Sequence, residues 1–209
     1  MTFKEKIQNS THDNEIVIYD SNDIVICHLS LITSDDLNDK YLITKMTEWR
    51  KQFQHCFLTV FEPTYERTKT WLEKRLCTDE NRVLFKIYSI DRKLIGHIGA
   101  INYNSYIEYD YYIKGERVAI KDFAQIVAKR FLFWICDVSS VEDIFGRVRS
   151  DNNHTIEFHQ RTGFQVVGRK PLKKHFTNNV EYDYYVDEEL ENADLFLLEI
   201  HMKQSDIKM

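Results

Sequence analysis

The sequence contains little proline and glycine, with two prolines and six glycines among its 209 residues. This scarcity argues against a flexible Gly/Pro-rich linker, so no compositional boundary divides the chain. The sequence also lacks a run of about 18 apolar residues, the length that a membrane-spanning helix requires. Its first residues show no apolar signal region. We therefore expect a cytoplasmic protein without a membrane segment.

Cysteines are few and scattered, at positions 27, 56, 77 and 136. They form no CxxC pair and show no zinc-type spacing with histidine, so we expect reduced thiols and no metal site. The formal net charge of −5 argues against a general nucleic-acid-binding protein, which usually has a basic surface. Apolar residues make up 43% of the chain and aromatic residues 13%. These fractions allow a packed core and argue against disorder as the main state.

Apolar spacing predicts one folded domain over residues 15–209, preceded by a polar, flexible segment at residues 1–14. Short polar turns between three central strands indicate an antiparallel meander, which a helix, a strand, a helix and a strand follow. This order predicts an α/β layered fold with a mixed sheet. We predict strands at 23–33, 83–90, 93–103, 106–113, 142–149, 164–167 and 193–202, and helices at 37–51, 63–77, 117–136 and 152–162.

The stretch from residue 148 to residue 164 carries the most specific motif. Asn152 is placed to cap the helix that follows it, and Gly163 supplies the left-handed residue that a helix end favours. The order resembles the N-x-x-A-x-x-x-Y-x-x-x-G-F pattern of the GNAT family of N-acetyltransferases. Asn152, Gly163 and Phe164 match that pattern, whereas Thr155 and His159 depart from it. The resemblance implies a mostly antiparallel central sheet with helices on both faces.

The resemblance also implies acetyl-CoA as the acyl donor and a primary amine as the acceptor. The family carries R/Q-x-x-G-x-G/A where its pyrophosphate loop meets a helix, whose free N–H groups suit phosphate. Here Lys114 takes the first position, Ala119 the last, and Arg117 replaces the middle glycine. The alternative is a helix start with solvated charges. The expected donor-binding residues are Tyr111, Ile113, Lys114, Gly115, Glu116, Arg117, Val118, Ala119 and Asn152.

Acyl transfer needs a base for the amine and is helped by an acid for the leaving thiolate. Strand alternation places Glu108 and Asp110 on one face, and the resemblance makes Glu108 the expected base. Its alternative is a charged strand face in water. His159 occupies the position of the family's tyrosine, and an imidazolium with a pKa of about 6.5 can protonate a thiolate of about 8.5. The alternative for His159 is a partly buried histidine. The resemblance assigns the oxyanion N–H to the backbone around Tyr109 to Tyr111.

The acceptor site is expected near Trp49-Arg50-Lys51 and residues 64–72, which resemble signatures of a family subset that acetylates amino sugar nucleotides or ribosomal proteins. Arg50 suits a substrate phosphate or carboxylate, because its fork makes bidentate contacts. A surface ion pair is the alternative. His97, on the neighbouring strand, is expected to orient the substrate, so Arg50, His97 and Tyr109 form the predicted substrate-binding set. The longer segment at residues 170–191 is expected to help form this site.

We therefore predict an N-acetyltransferase that acts on a small amine, with an amino sugar nucleotide as the first acceptor and a protein N-terminus as the second. A degenerate member that binds CoA or another ligand without turnover stays open, because Arg117 and His159 depart from the family pattern. An interaction domain that shares the fold also stays open. The resemblance allows a homodimer.

Overall fold

A computed structural model describes residues 1–208 of the chain. One ten-stranded sheet runs through it in the order β1-β2-β4-β5-β6-β7-β10-β8-β9-β3. The strands are β1 Glu15–Tyr19, β2 Val25–Leu31, β3 Thr59–Val60, β4 Arg82–Ser89, β5 Leu94–Asn102, β6 Ile107–Lys114, β7 Asp143–Arg149, β8 Gln165–Phe176, β9 Tyr182–Val186 and β10 Phe196–Lys203. The α-helices are α1 Phe3–Asn9, α2 Lys40–Gln52, α3 Tyr65–Trp71, α4 Phe123–Ser139 and α5 Asn153–Thr162.

The predicted fold class is confirmed. Within residues 1–208, every strand pairing is antiparallel except that of β6 with β7. The meander β4-β5-β6 forms as its short polar turns indicate. No helix in the same range combines the length and the apolar character that crossing a bilayer requires.

Two apolar cores lie on opposite faces of the sheet. On one face, α4 buries Val127, Phe131 and Ile135 against strand residues such as Phe85, and α1 and α5 complete that layer. The other face is covered by α2 and α3 with the π-helical turn Leu72–Cys77 that continues α3. The helices on both faces that the resemblance implied are thus present, and the strands between them have both faces covered.

The prediction of a flexible segment at residues 1–14 is wrong for α1. Phe3 and Ile7 lie one helical turn apart, and both are buried in the core against α4. Thr2 and Glu5 form a reciprocal capping box that satisfies two free N–H groups at the helix start. The amine of Lys4 also donates to the carbonyls of Leu76 and Cys77.

Two further boundaries differ from the prediction. The helix expected from residue 117 begins at Phe123, because Asp122 has a left-handed backbone with φ of 53° that interrupts helical geometry. The segment after residue 167 is not a loop: β8 continues to Phe176, and β9 returns beside it. The short strand β3 pairs with β9, which brings this hairpin beside the connection that follows α2.

Candidate active site

The backbone of β6 bulges at the centre of the sheet. His97 lies opposite Ile113 and Gly99 opposite Asp110, so two steps along β5 face three steps along β6. Tyr111 has a φ of 55°, which is uncommon for a bulky side chain. The ring nitrogen Nδ1 of His97 lies 2.6 Å from the Tyr111 carbonyl oxygen. That contact fixes the turned carbonyl of the bulge against β5.

The only parallel pair among the described strands parts next to this bulge. β6 and β7 pair at Ile107–Ile144 and Glu108–Phe145, and no further pairing between them follows within residues 1–208. Strands that part in this way leave a gap between them, and helices α4 and α5 follow the two strands. Arg117 would close this gap if its side chain filled it. The side chain is instead exposed, and it forms no ion pair within the described range.

A cavity of about 660 Å³ lies on the α2 and α3 face of the sheet, at the bulge. It brings together six of the predicted site residues, namely Arg50, His97, Glu108, Tyr109, Tyr111 and Ile113. His159, Asn152 and residues 114–119 do not line it. The whole predicted substrate-binding set therefore lines one cavity, together with Glu108 and two of the predicted donor-binding residues, Tyr111 and Ile113. The other predicted donor-binding residues lie outside it.

Asp110 and Glu108 project two residues apart on β6, and both line the cavity. Burial, reinforced by the neighbouring Glu108 carboxylate, raises the pKa of Asp110 to about 6. The Asp110 carboxylate accepts the Tyr111 N–H at 2.9 Å and faces the guanidinium of Arg82 at 3.4 Å. Glu108 instead accepts both the Nε and an Nη donor of Arg147 on one carboxylate oxygen. A carboxyl group with a pKa near neutrality suits proton transfer, so Asp110 joins the candidate bases.

Arg50 reaches the cavity from the end of α2. Its guanidinium stacks on the Phe57 ring, 3.5 Å from the ring centre, and donates to the Thr59 carbonyl at 2.7 Å. Burial lowers the pKa of Arg50 to about 10, against the opposing charges of Tyr111 and Asp110. The guanidinium therefore remains charged near neutrality. No carboxylate pairs with it within residues 1–208, so the surface ion pair considered from the sequence does not form there.

His97 lies against the Trp49 ring, with the ring centres 6.1 Å apart. Burial lowers the pKa of His97 to about 4, so the ring is neutral at pH 7. Because a carbonyl oxygen can only accept, the hydrogen of this neutral ring is on Nδ1, and Nε2 keeps its lone pair. His97 therefore supports the bulge through Nδ1, and its Nε2 remains a hydrogen-bond acceptor.

His159 is buried among aromatic rings on the α4 and α5 face, 5.7 Å from Tyr109 and 5.2 Å from Phe164 between ring centres. Burial lowers the pKa of His159 to about 4. The imidazolium expected from the sequence is therefore not populated at pH 7, and this part of the prediction requires correction. Nδ1 of His159 and the hydroxyl of Tyr109 are both buried without a hydrogen-bond partner. Burial also raises the pKa of Tyr109, which keeps its hydroxyl neutral.

Residues 115–119 form an irregular segment between β6, which ends at Lys114, and α4, and they do not start a helix. A Cβ on Gly115 would lie 2.1 Å from the Trp49 ring, so only glycine fits there. The Glu116 carboxylate accepts from Lys45 at 3.1 Å and from the Trp49 indole at 3.3 Å. Lys114, Arg117 and Ala119 are exposed, and Val118 packs against the core. The free N–H groups expected next to this segment lie instead after Asp122.

The helix start and the helix end in the motif at residues 152–164 have the expected geometry. The Asn152 side chain accepts the Thr155 N–H at 3.3 Å and caps α5. Gly163 ends the helix with a φ of 124°. The same end of α5 is tied to the start of α4, because Arg161 in the last turn of α5 pairs with Asp122 at 2.6 Å.

Several cavity residues were not singled out by sequence reasoning. Asp110 was recognised only as a neighbour of Glu108 on the strand face. The other missed residues are four arginines from four separate elements, namely Arg67 of α3, Arg75 of the π-helical turn, Arg82 of β4 and Arg147 of β7. The one signal in the sequence for Asp110 was its position two residues after Glu108 on β6, which places both acidic residues on one face of the strand. The arginines converge only through the tertiary fold.

Comparisons with known proteins bear on the family and the fold of the chain. Residues 29–186 match the sequence model of the acetyltransferase (GNAT) domain. A solved structure of a spermidine N-acetyltransferase from Vibrio cholerae, in complex with CoA and spermine, has a TM-score of 0.61 at 17% identity, covering 86% of this chain and 96% of that chain. A dodecameric structure of spermidine N-acetyltransferase from the same organism gives 0.58 at 16%, covering 86% and 94%. No curated protein matches the chain. At such low identity, the solved structures show a shared fold.

Proposed function

The chain belongs to the GNAT family of acetyltransferases, and from this premise we propose that it transfers an acetyl group from acetyl-CoA to a primary amine bound in the cavity beside Asp110. GNAT acetyltransferases use acetyl-CoA, which supplies an activated acetyl thioester. The observation that carries the proposal is the cavity itself. It meets the bulge of β6 at the point where β6 and β7 part, and it contains a carboxyl group with a pKa of about 6.

The residues around the parted strands fit a donor of this kind. Tyr109 and His159 present two buried polar atoms without a partner, and a ligand in the gap would give them one. We propose that the donor contacts the segment from Ile113 to Ala119 and the cap residue Asn152, together with the helix start after Asp122. The salt bridge of Arg161 reduces the negative charge of Asp122 next to that helix start.

Asp110 is the base that we propose in preference to Glu108. An amine arrives as an ammonium without a lone pair, so a base must first take a proton. Ionised Asp110 accepts that proton, which leaves the nitrogen lone pair to attack the acetyl carbonyl carbon with release of the CoA thiolate. Glu108 is engaged by Arg147, and its charge raises the pKa of Asp110. His97 holds the bulge through the Tyr111 carbonyl.

Protonation of the leaving thiolate is a smaller requirement than the sequence implied. A neutral imidazole and a phenol are weak acids, so neither readily protonates the leaving thiolate. A thiol has a pKa of about 8.5, so the thiolate can leave near neutral pH without being protonated first. We propose that Tyr109 and His159 contribute hydrogen-bond donors from their neutral forms. Neither is required to supply a full positive charge.

The amino sugar nucleotide predicted from the sequence remains a proposal about the acceptor. The solved structures of similar fold are named for spermidine and spermine, and none of those reported above is named for a sugar nucleotide. Phe57 and Phe61 do line the cavity, as an aromatic pocket for a sugar or base would require. A protein N-terminus stays the second candidate.

Thiol release from acetyl-CoA, measured with a panel of primary amines and with mass spectrometry of the products, tests the proposal. We expect amine-dependent release and an acetylated amine. Binding of acetyl-CoA in a calorimeter without any amine-dependent release would indicate a degenerate member. Absence of acetyl-CoA binding would favour an interaction domain.

A further inference from the structure

We infer that the acceptor amine carries an anionic group, a carboxylate or a phosphate, which Arg50 and Arg75 bind in the cavity that also contains Asp110. This inference deepens the proposed function and rests on it, because it names the class of amine that the same cavity admits.

Guanidinium groups outnumber carboxylates in the cavity lining. The lining contains five arginines and only two carboxylates, Glu108 and Asp110. Each carboxylate already has a guanidinium partner, since Glu108 binds Arg147 and Asp110 faces Arg82 at 3.4 Å. Neither carboxylate therefore offers an unshared negative charge to a cationic substrate. A doubly or triply charged polyamine would enter a region of like charge.

Two of the five arginines have no carboxylate partner within residues 1–208. Arg67 pairs with Glu181 at 2.5 Å, outside the lining, and Arg82 has a second partner in Asp79 at 3.4 Å. Arg50 and Arg75 form no ion pair in the same range. The two guanidinium groups of the cavity that lack a carboxylate partner are thus on α2 and on the π-helical turn Leu72–Cys77. Both elements cover the same face of the sheet.

Arg50 is the better defined of the two. Its guanidinium is stacked on Phe57 and fixed by a single assigned hydrogen bond, to the Thr59 carbonyl. A guanidinium has five N–H donors, so most of them are available. A partly buried cation without a counter-charge is costly, and a bidentate carboxylate or phosphate is the ligand that matches its planar fork. Ring stacking on Phe57 holds that fork in one orientation before any ligand binds.

Arg75 is the second arginine without a carboxylate partner. It is exposed, whereas Arg50 is partly buried, and both line the same cavity. An anion bound at either guanidinium lies in the cavity that also contains Asp110. The amine end of the same molecule is then left to approach Asp110, whose charge acts on Arg50 across the cavity.

Acceptors of equal length and different terminal charge test this inference. We would compare 6-aminohexanoate, hexylamine and 1,6-diaminohexane, and for phosphate the pair of glucosamine 6-phosphate and glucosamine. Charge-assisted hydrogen bonds predict a kcat/KM about ten- to a hundred-fold higher for the anionic member than for its neutral match, and a lower value for the diamine. The two pairs separate a carboxylate from a phosphate as the preferred group.

The variants Arg50→Gln and Arg75→Gln should reduce the anionic-to-neutral ratio of kcat/KM toward one, Arg50→Gln more strongly. Lys51→Gln is the matched control, because Lys51 is the next residue of α2, is exposed and does not line the cavity. Its ratio should equal that of the unchanged chain. Arg75 is exposed, so its variant keeps the test valid if Arg50→Gln does not fold.

Three outcomes distinguish the ideas. A higher kcat/KM for the anionic member that depends on Arg50 or Arg75 supports the inference. Equal or better use of hexylamine, diaminohexane or spermidine overturns the inference and leaves the proposed function intact. Absence of acetyl transfer to every amine overturns the proposed function and the inference with it.

Discussion

Replacing Asp110 with asparagine tests whether this cavity contains a general base. Asparagine keeps the shape of the side chain and an Oδ1 acceptor for the Tyr111 N–H, which lies at 2.9 Å. It cannot take a proton from an amine. General-base catalysis contributes about 10²- to 10⁴-fold in rate, so we expect kcat to fall by at least about a hundred-fold. Binding of acetyl-CoA, which we propose to contact the segment from Ile113 to Ala119 and Asn152, should change little.

The same variant should be more stable near neutral pH. The pKa of Asp110 rises from 3.8 to about 6 on folding, with burial as the main cause. A rise of this size corresponds to at most about 3 kcal/mol. Because 30% of the side chain is exposed to water, which screens its charge, we expect about 1–2 kcal/mol. Arg82 keeps its second partner, Asp79, in the variant.

The sign of the pH dependence follows from the raised pKa. Folded Asp110 binds its proton more tightly than the unfolded chain does, so its contribution to stability is complete below about pH 4 and is lost as the pH rises through about 6. Asparagine does not titrate, so the variant does not lose this stability as the pH rises. The difference in unfolding free energy between Asp110→Asn and the unchanged chain should therefore grow from pH 4.5 to pH 7.5 by about 1–2 kcal/mol.

Urea unfolding at these two pH values and thiol-release kinetics measure the two effects. Asp36→Asn is the matched control, because Asp36 forms a 2.7 Å ion pair with Lys86 in which the two side chains are only 13% and 11% exposed. That variant should lose stability, as expected for a buried pair that is broken. Retention of kcat within about three-fold in Asp110→Asn, or a loss of stability at pH 7.5, would refute the reasoning.

Three further substitutions test other contacts. Burial is the main cause of the raised pKa of Asp110, and the Glu108 charge adds to it. Glu108→Gln removes that second contribution, so the acidic limb of the pH profile of kcat should move to lower pH; a hundred-fold loss at all pH values would instead assign the base to Glu108. His159→Phe removes a buried nitrogen without a hydrogen-bond partner, so the unfolding free energy should stay equal or rise by about 1 kcal/mol. We expect kcat to fall less than about ten-fold, and a larger loss would support an acid role for His159. Gly115→Ala places a methyl group 2.1 Å from the Trp49 ring and should lower the unfolding free energy by about 1–3 kcal/mol; unchanged urea unfolding would contradict this packing.

The sequence predicts those parts of the fold that depend on neighbours in the chain. The meander from β4 to β6 follows from alternation and short polar turns, and the Asn152 cap and the Gly163 stop follow from local backbone requirements. Helix α1 also had a local signal, because the pair Phe3 and Ile7 follows a capping box. The polar composition around that pair hid it.

Features that depend on distant contacts were not predictable in this way. Val118 and Ile120 continue the apolar spacing of α4, but they pack against the core from an irregular segment, and the helix starts only after Asp122. The hairpin of β8 and β9 reads as a polar tail because its support comes from β3, far away in the chain. The pKa of Asp110 depends on burial by the surrounding fold, and the convergence of arginines on the cavity depends on the packing of α2 and α3.

One competition experiment tests the central claim, that a primary amine is acetylated in the cavity beside Asp110. The protein would be incubated with acetyl-CoA and an equimolar mixture of primary amines that includes 6-aminohexanoate, hexylamine and spermidine, and the products would be identified by mass spectrometry. We predict an N-acetylated product that the unchanged chain forms and that Asp110→Asn forms at least about a hundred-fold more slowly. Equal product formation by both proteins, or none by either, would contradict the account.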